Sequence, residues 1–463
     1  MEITRLKWDI NHPILAGLDL DLTDNHGNPY KTIIIAGDNG IGKTTILQSI
    51  YDIMSGERGD LESFEYNIGT DKYVASAGDN NHIKVKKEGG DFENVQLLCA
   101  RRNPFDFGEI GEMDDYAPQK FSAAMSPAST DFYSSIENRD GYDAIKQHLI
   151  TLERQDNEAY RTMNLEREAN GQQPVSVSSF NGTNSKLEQF KRTFNEMFED
   201  LKFHCVKSEV ENTRAIFTKN SNEEIDIDKL STGEKQIVFR GSAVLTQSKK
   251  SDVVLIDEPE ISMHPRWMEK ILKFYKGLVT DHNTNTQSSQ LFITTHSDAI
   301  IRKAVEDGNV LIIRLTKNGN RVVSNKPDDM VLSSPTSAEI NFAVFGICST
   351  DYHIQLFAQL HNEIIANDST KGSIKKADAS IEGQSQCTAQ YLKRYENTAT
   401  PRGSSPIVYE TLPCYVRNCI DHPDSPDSRG TIQKYTPQDL KDSTHFLRTL
   451  IIEQKNGRYD FTK

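Results

Sequence analysis

The chain has 463 residues, 36% of them hydrophobic and 26% charged, with a formal net charge of −14. That length leaves room for two or three domains around a substantial core, and the acidic field works against non-specific duplex binding. The start Met1-Glu2-Ile3-Thr4-Arg5 lacks an apolar signal region and the longest apolar runs have strand length, so a cytoplasmic protein without membrane contact is expected.

Residues 1–60 alternate in strand fashion, turn at Asn25-His26-Gly27-Asn28-Pro29, and lead through a buried strand at 32–36 into a glycine-rich loop. Residues 61–225 are polar and mixed. Within them, 142–168 has the charge and helix formers of a long exposed helix, and 185–201 reads as a second one. There Leu187, Phe190, Phe194 and Phe198 recur at helical spacing, a stripe we read as core packing. No heptad pattern persists, so a short helical arm is expected instead of a long coiled coil. From 226 to 329 the pattern is α/β again, with apolar strands at 252–256, 291–295 and 310–314. The rest has no comparable strand series and reads as helical. The expected division is a core of 1–60 plus 226–329, an inserted lobe at 61–225 and a helical interaction domain at 330–463. The six cysteines form no CxxC pair, which removes zinc-ligand spacing and points to reduced thiols. Short basic clusters (84–87, Lys191-Arg192, Lys375-Lys376) read as solvated faces, and direct nucleic-acid contact is left open.

Four motifs carry chemistry. Gly37, Asn39, Gly40, Gly42, Lys43 and Thr44 fit G-x4-G-K-[ST] after a strand and open a helix that continues through Thr45. Glycines let successive N–H groups converge on phosphate oxygens, and the helix N-terminus adds a favourable dipole. Lys43 would place a point charge at the β/γ-phosphates and Thr44 a hydroxyl on Mg²⁺. A second strand ends in Asp257-Glu258-Pro259-Glu260, where Asp257 can hold the metal shell while Glu258 polarises an attacking water. Third, Leu230, Ser231, Thr232, Gly233 and Glu234 open a helix upstream of those carboxylates; alone, this is an ordinary capped helix start. Fourth, an apolar strand ends in Thr294-Thr295-His296-Ser297, and Ser262-Met263-His264-Pro265 follows the carboxylates.

In this order the motifs resemble the ATP-binding heads of ABC and SMC type, in the OLD/RecF-like branch. The resemblance implies an α/β fold: an ABC-type P-loop NTPase head, with a mixed sheet, antiparallel N-terminal strands and a short helical arm, plus a C-terminal helical domain. It implies ATP and Mg²⁺ as cofactors and hydrolysis to ADP and phosphate. Lys43, Glu258 and the switch-like His296 would be catalytic, with Thr44, Asp257 and the Q-loop candidate Gln96 at the metal. Residues 230–234 resemble the ABC signature, departing from it at Thr232 and Glu234, and would face the γ-phosphate of another subunit. A homo-oligomer follows, at least a dimer and up to a hexamer.

A head of this length also resembles the ATPase subunits of bacterial anti-phage systems, PARIS and the Septu/retron-associated ones. That implies abortive-infection defence, a partner nuclease of TOPRIM or HNH type and a phage protein as trigger. Near the C-terminus, Arg417 and His422 fit R-x4-H and resemble the HEPN ribonuclease motif. The same residues before Pro423 also serve as helix caps. Two alternatives stand beside the main reading: a self-contained, ABC ATPase-gated HEPN ribonuclease of anticodon-nuclease kind, and a DNA-repair ATPase of RecF/RecN type.

Overall fold

The computed structural model describes residues 1–54, 61–77, 83–90, 93–94, 139–208, 213–219, 223–247, 253–261, 263–281, 284–366, 374–398 and 405–456. The chain divides into two compact units, Met1–Lys326 and Pro327–Lys463.

The first unit begins with β1 (Glu2–Trp8), β2 (Asp19–Asp21), β3 (Thr32–Ala36) and α1 (Lys43–Met54), followed by β4 (Leu61–Ile68), β5 (Asp71–Ala77), β6 (Ile83–Lys87) and β7 (Glu93–Asn94). Helices α2 (Arg139–Ala169), α3 (Val177–Thr183) and α4 (Lys186–Met197) precede β8 (Leu201–Ser208), β9 (Thr213–Lys219) and β10 (Glu223–Ile225). Then come α5 (Thr232–Gln247), β11 (Val253–Asp257), α6 (Pro265–Leu278), β12 (Thr280–Asp281), β13 (Thr286–Gln287), β14 (Gln290–Thr295), α7 (Asp298–Asp307), β15 (Val310–Asn318) and β16 (Arg321–Asn325).

One sheet of this unit is mixed, in the order β11-β14-β3-β15-β16. Its first four strands run parallel, and β16 closes the edge antiparallel to β15. Strands β3, β11 and β14 are buried at every residue, as parallel strands covered on both faces must be. Their register sets Asp257 opposite Thr294, and Thr295 opposite Ala36, so three strands end at one level. Ligands gather at such carboxyl ends.

A second sheet is antiparallel, β2-β1-β4-β5-β6-β7. The boundary expected near residue 60 falls inside it, because β4 pairs with β1 from Glu2↔Asn67 to Trp8↔Leu61. The sequence of β4 looked polar since one face is solvated, while Leu61, Phe64 and Tyr66 go inward. The aromatic stripe is core: Phe190 and Phe194 are fully buried and contact Phe203 and Phe217 of the β8–β9 hairpin. Ser185 caps α4, and Phe198 ends it against Trp267. The arm is α2 folded back on α3, joined by Tyr160 stacking edge-on against Phe180.

The second unit contains α8 (Ser337–Phe345), α9 (Thr350–Ala366), α10 (Ile374–Glu382), β17 (Leu392–Asn397), β18 (Ile407–Thr411), α11 (Leu412–Asp421) and α12 (Pro437–Lys455). It is mainly helical, as its composition suggests, but a β17–β18 hairpin lies within it. Tyr395 and Tyr409 are the hairpin's inward residues. The buried Asp378 of α10 fastens it by accepting the N–H groups of Glu410 and Thr411 and the Thr411 hydroxyl. Among the described residues, Cys205, Cys348, Cys387, Cys414 and Cys419 are free thiols, and no helix is long and apolar enough to cross a membrane.

Candidate functional site

The loop between β3 and α1 turns through Gly40 and Gly42, both in the left-handed region at φ 73° and 107°. A side chain at Gly42 would also come within 2.8 Å of Leu15 Cδ2, in addition to the strain of its positive φ. Lys43, 4% exposed, curls back over the loop: Nζ donates to Gly37 O (2.9 Å) and Asp38 O (3.2 Å) and pairs with Glu258 Oε1 at 3.2 Å. Gly37, Asn39, Thr44 and Thr45 occupy the same strand–loop–helix unit.

The next strand end supplies the carboxylates. Asp257 is buried; its Oδ2 accepts from Thr44 Oγ1 at 2.9 Å and its Oδ1 from the Thr294 hydroxyl. Burial pushes this carboxyl above its usual range, and the two hydroxyl hydrogen bonds oppose that shift. Glu258 has φ 40°, a strained conformation for a non-glycine residue. Its N–H donates to Thr294 O (3.2 Å) and Thr294 Oγ1 (3.0 Å), which hold it there. Such strain aims the carboxylate off the strand axis, and its oxygen meets Lys43 Nζ on one side and His296 Nδ1, at 3.7 Å, on the other.

His296 follows the end of β14 and is 45% exposed at its side chain, while Glu260 beside it is 3% exposed. Glu260 Oε1 accepts the Thr295 hydroxyl (2.6 Å) and the His296 backbone N–H (2.8 Å), and lies 3.3 Å from His296 Nδ1. The structure thus brings Lys43, Thr44, Asp257, Glu258 and His296 together from three strand ends. Thr294, Thr295 and Glu260 join them; the hydroxyls of the T-T-H-S run and the second carboxylate of D-E-P-E were the available signals.

A hydroxyl and a carboxylate oxygen within 3 Å, Thr44 Oγ1 and Asp257 Oδ2, are hard donors suited to Mg²⁺. That ion takes one or two protein ligands and completes its shell from phosphate and water. No group of three or more His, Cys, Asp or Glu poised for a metal occurs among the described residues.

The signature-like run stands at the start of α5. Leu230 is buried; Ser231 is exposed, its hydroxyl accepts from Glu234 N (3.4 Å), and Glu234 Oε2 accepts the Ser231 N–H (2.7 Å). Thr232 and Gly233 form the first turn, and Lys219 neutralises Glu234 at 3.0 Å. Further along α5 the buried Arg240 points Nη1 at Asp257 O (3.4 Å), a link that nothing in the local sequence announces. His264 caps α6 through Nδ1, accepting from Arg266 N. Gln96 and Ser262 lie outside the described residues.

Arg417 lies in the last turns of α11 and His422 at its C-cap. Arg417 pairs with Asp421 at 2.5 Å and donates to Asn418 Oδ1, while His422 is the exposed C-cap of α11. Five positions along an ideal helix correspond to a turn of about 140°, so R-x4-H spacing does not by itself align the two side chains on one face.

Comparison with known proteins gives four matches. A stretch of 92 residues, 18% of this chain, is 34% identical to "Endonuclease GajA" of Bacillus cereus (strain HuB5-5) and covers 13% of that protein's length. Among solved structures, the SMC head domain from Thermotoga maritima is 13% identical, with a TM-score of 0.40 over 71% of this chain and 100% of that one. The Smc head domain with an extended coiled coil, bound to the C-terminal domain of ScpA derived from Pyrococcus furiosus, is 14% identical with a TM-score of 0.37, over 70% and 96% of the two chains. Residues 33–302, which run from β3 past His296, match the family described as "AAA domain, putative AbiEii toxin, Type IV TA system". That match spans more than half of the chain, and the chain belongs to this AAA-domain family.

Proposed function

We propose that this chain binds ATP with Mg²⁺ and hydrolyses it at a site completed by α5 of a second copy. We further propose that it is the ATPase subunit of an anti-phage defence system, coupling nucleotide state to control of a nuclease. The carrying observation is the convergence of Lys43, Glu258 and His296 at the aligned ends of β3, β11 and β14.

Backbone N–H groups of 37–45 and the α1 N-terminus would cradle the phosphates, with Lys43 Nζ exchanging its carbonyl partners for phosphate oxygens. Thr44 and Asp257 would hold Mg²⁺, which would offset the charge of the phosphates. Competition of phosphate for Lys43 leaves the Glu258 carboxylate to accept a proton from the attacking water. His296 would meet the γ-phosphate. The exposed Ser231 and the first turn of α5 would offer a helix start to the phosphate of a partner's nucleotide. The defence role is supported by the toxin description of the family and the endonuclease name of the relative.

Lys43→Ala should lower ATP affinity by more than about tenfold, whereas Glu258→Gln should keep affinity and lose about 10²–10⁴ in kcat. Binding by calorimetry and phosphate release measure the two. In a phage-challenged host carrying the chain with its neighbouring genes, both variants should abolish protection. Native-rate hydrolysis by Glu258→Gln would overturn the assignment.

A further inference from the structure

We propose that Glu260 is a positioning residue that fixes the ring of His296 toward the nucleotide. The proposal rests on the reading of His296 as a nucleotide-contacting group and goes beyond it.

Glu260 stands in the turn after β11, and His296 just past the end of β14. These strands are parallel neighbours, with Asp257 opposite Thr294. The turn is tight, with Ile261 N donating to Glu258 O and Met263 N to Glu260 O, so the Glu260 side chain reaches across to the neighbouring strand end. There a single oxygen, Oε1, accepts the Thr295 hydroxyl and the His296 N–H and faces His296 Nδ1. The other oxygen, Oε2, is buried with no hydrogen-bond partner among the described residues.

That asymmetry argues for orientation. A buried carboxylate is costly, and one with half its acceptors unmet is more so. A neutral side chain could satisfy one hydroxyl and one backbone N–H at smaller expense. What the carboxylate adds is a charged acceptor 3.3 Å from one ring nitrogen. A charged acceptor at that distance favours the tautomer with its proton on Nδ1, which leaves Nε2 as the nitrogen for a ligand. The same logic orients metal-bound and catalytic histidines through their second nitrogen. Thr295 holds the arrangement from behind, since its Oγ1 donates to Glu260 and accepts from Ser297 N at 3.0 Å. Glu258 approaches the same Nδ1 at 3.7 Å, so Glu260 is the nearer partner and leaves Glu258 to its own task.

The test is a double-mutant cycle on the full chain, reading kcat, ATP dissociation constant and thermal midpoint. Glu260→Gln keeps an acceptor for the Thr295 hydroxyl and the His296 N–H but removes the charge facing Nδ1. It should lower kcat about tenfold with ATP affinity within about twofold, the scale seen for outer-shell partners of histidines. In a His296→Ala background the same substitution should change kcat by less than about twofold, because its effect passes through the ring. Glu260→Asp, which keeps the charge but withdraws it, serves where the glutamine variant unfolds, and its kcat loss should vanish in the same background. Multiplicative losses in the His296→Ala background, or native kcat in Glu260→Gln, would overturn the proposal alone. Native kcat in His296→Ala would instead overturn the reading beneath it.

Discussion

Glu258 shows how much of this site depends on one backbone conformation. At φ 40° it is strained by about 1–3 kcal/mol, and two hydrogen bonds from its N–H to Thr294 hold it there. Residues buried without charge matter as much to stability. Burial pushes His148 down to about 4 and His353 down to about 3; the latter shares a hydrogen bond of 2.8 Å with Ser443. In the window between these values and the ordinary 6.5, the unfolded chain binds the proton and the folded chain does not. Stability therefore rises with pH across that window, and it is lost as pH falls through 6.5. From pH 7 to 5 each histidine should contribute a loss of about 2 kcal/mol. Urea unfolding at the two pH values measures this, and His353→Gln should have a shallower dependence than the native chain. An unchanged dependence would mean that His353 is solvated. The residues of the loop and of D-E-P-E were legible because their chemistry is local: glycines, a lysine and carboxylates within a few positions. Glu260's grip on His296 was not, since 36 positions of sequence separate them and only the β11–β14 register joins them.

At the scale of elements, the helices of the first unit approach closely at two glycines. Helix α5 meets α6 through Gly241, where an added Cβ would lie 2.6 Å from Phe274 Cζ, and Gly277 of α6 meets Thr193 of α4 in the same way. Gly241→Ala should lower unfolding free energy by about 1–3 kcal/mol through overpacking, and Phe274→Leu in the same chain should recover part of it. Equal stability of Gly241→Ala and native protein in urea would show that the helices can part there without cost. The apolar strands and the α4 stripe were legible from periodicity. The pairing of β4 with β1 was not, because a half-solvated strand reads as polar sequence. The β17–β18 hairpin was hidden similarly: only Tyr395 on β17 is buried, Leu392 is exposed, and Lys393, Arg394, Glu396 and Asn397 are charged or polar.

At the scale of the whole molecule, the site is one half of a proposed pair. The P-loop, carboxylates and histidine converge within one unit, while the start of α5 presents Ser231 to solvent. A net charge of −14 works against association of copies at long range, so the proposed pair needs a specific local contact. Complementation in trans tests this most directly. Lys43→Ala removes a P-loop and keeps the signature-like run; Ser231→Arg blocks that run and keeps the P-loop. Each variant alone should hydrolyse ATP at background rate, and an equimolar mixture should recover about a quarter of the native rate, from mixed pairs with one complete site. A mixture as inactive as its components, or a Ser231→Arg chain with native activity alone, would contradict the composite site.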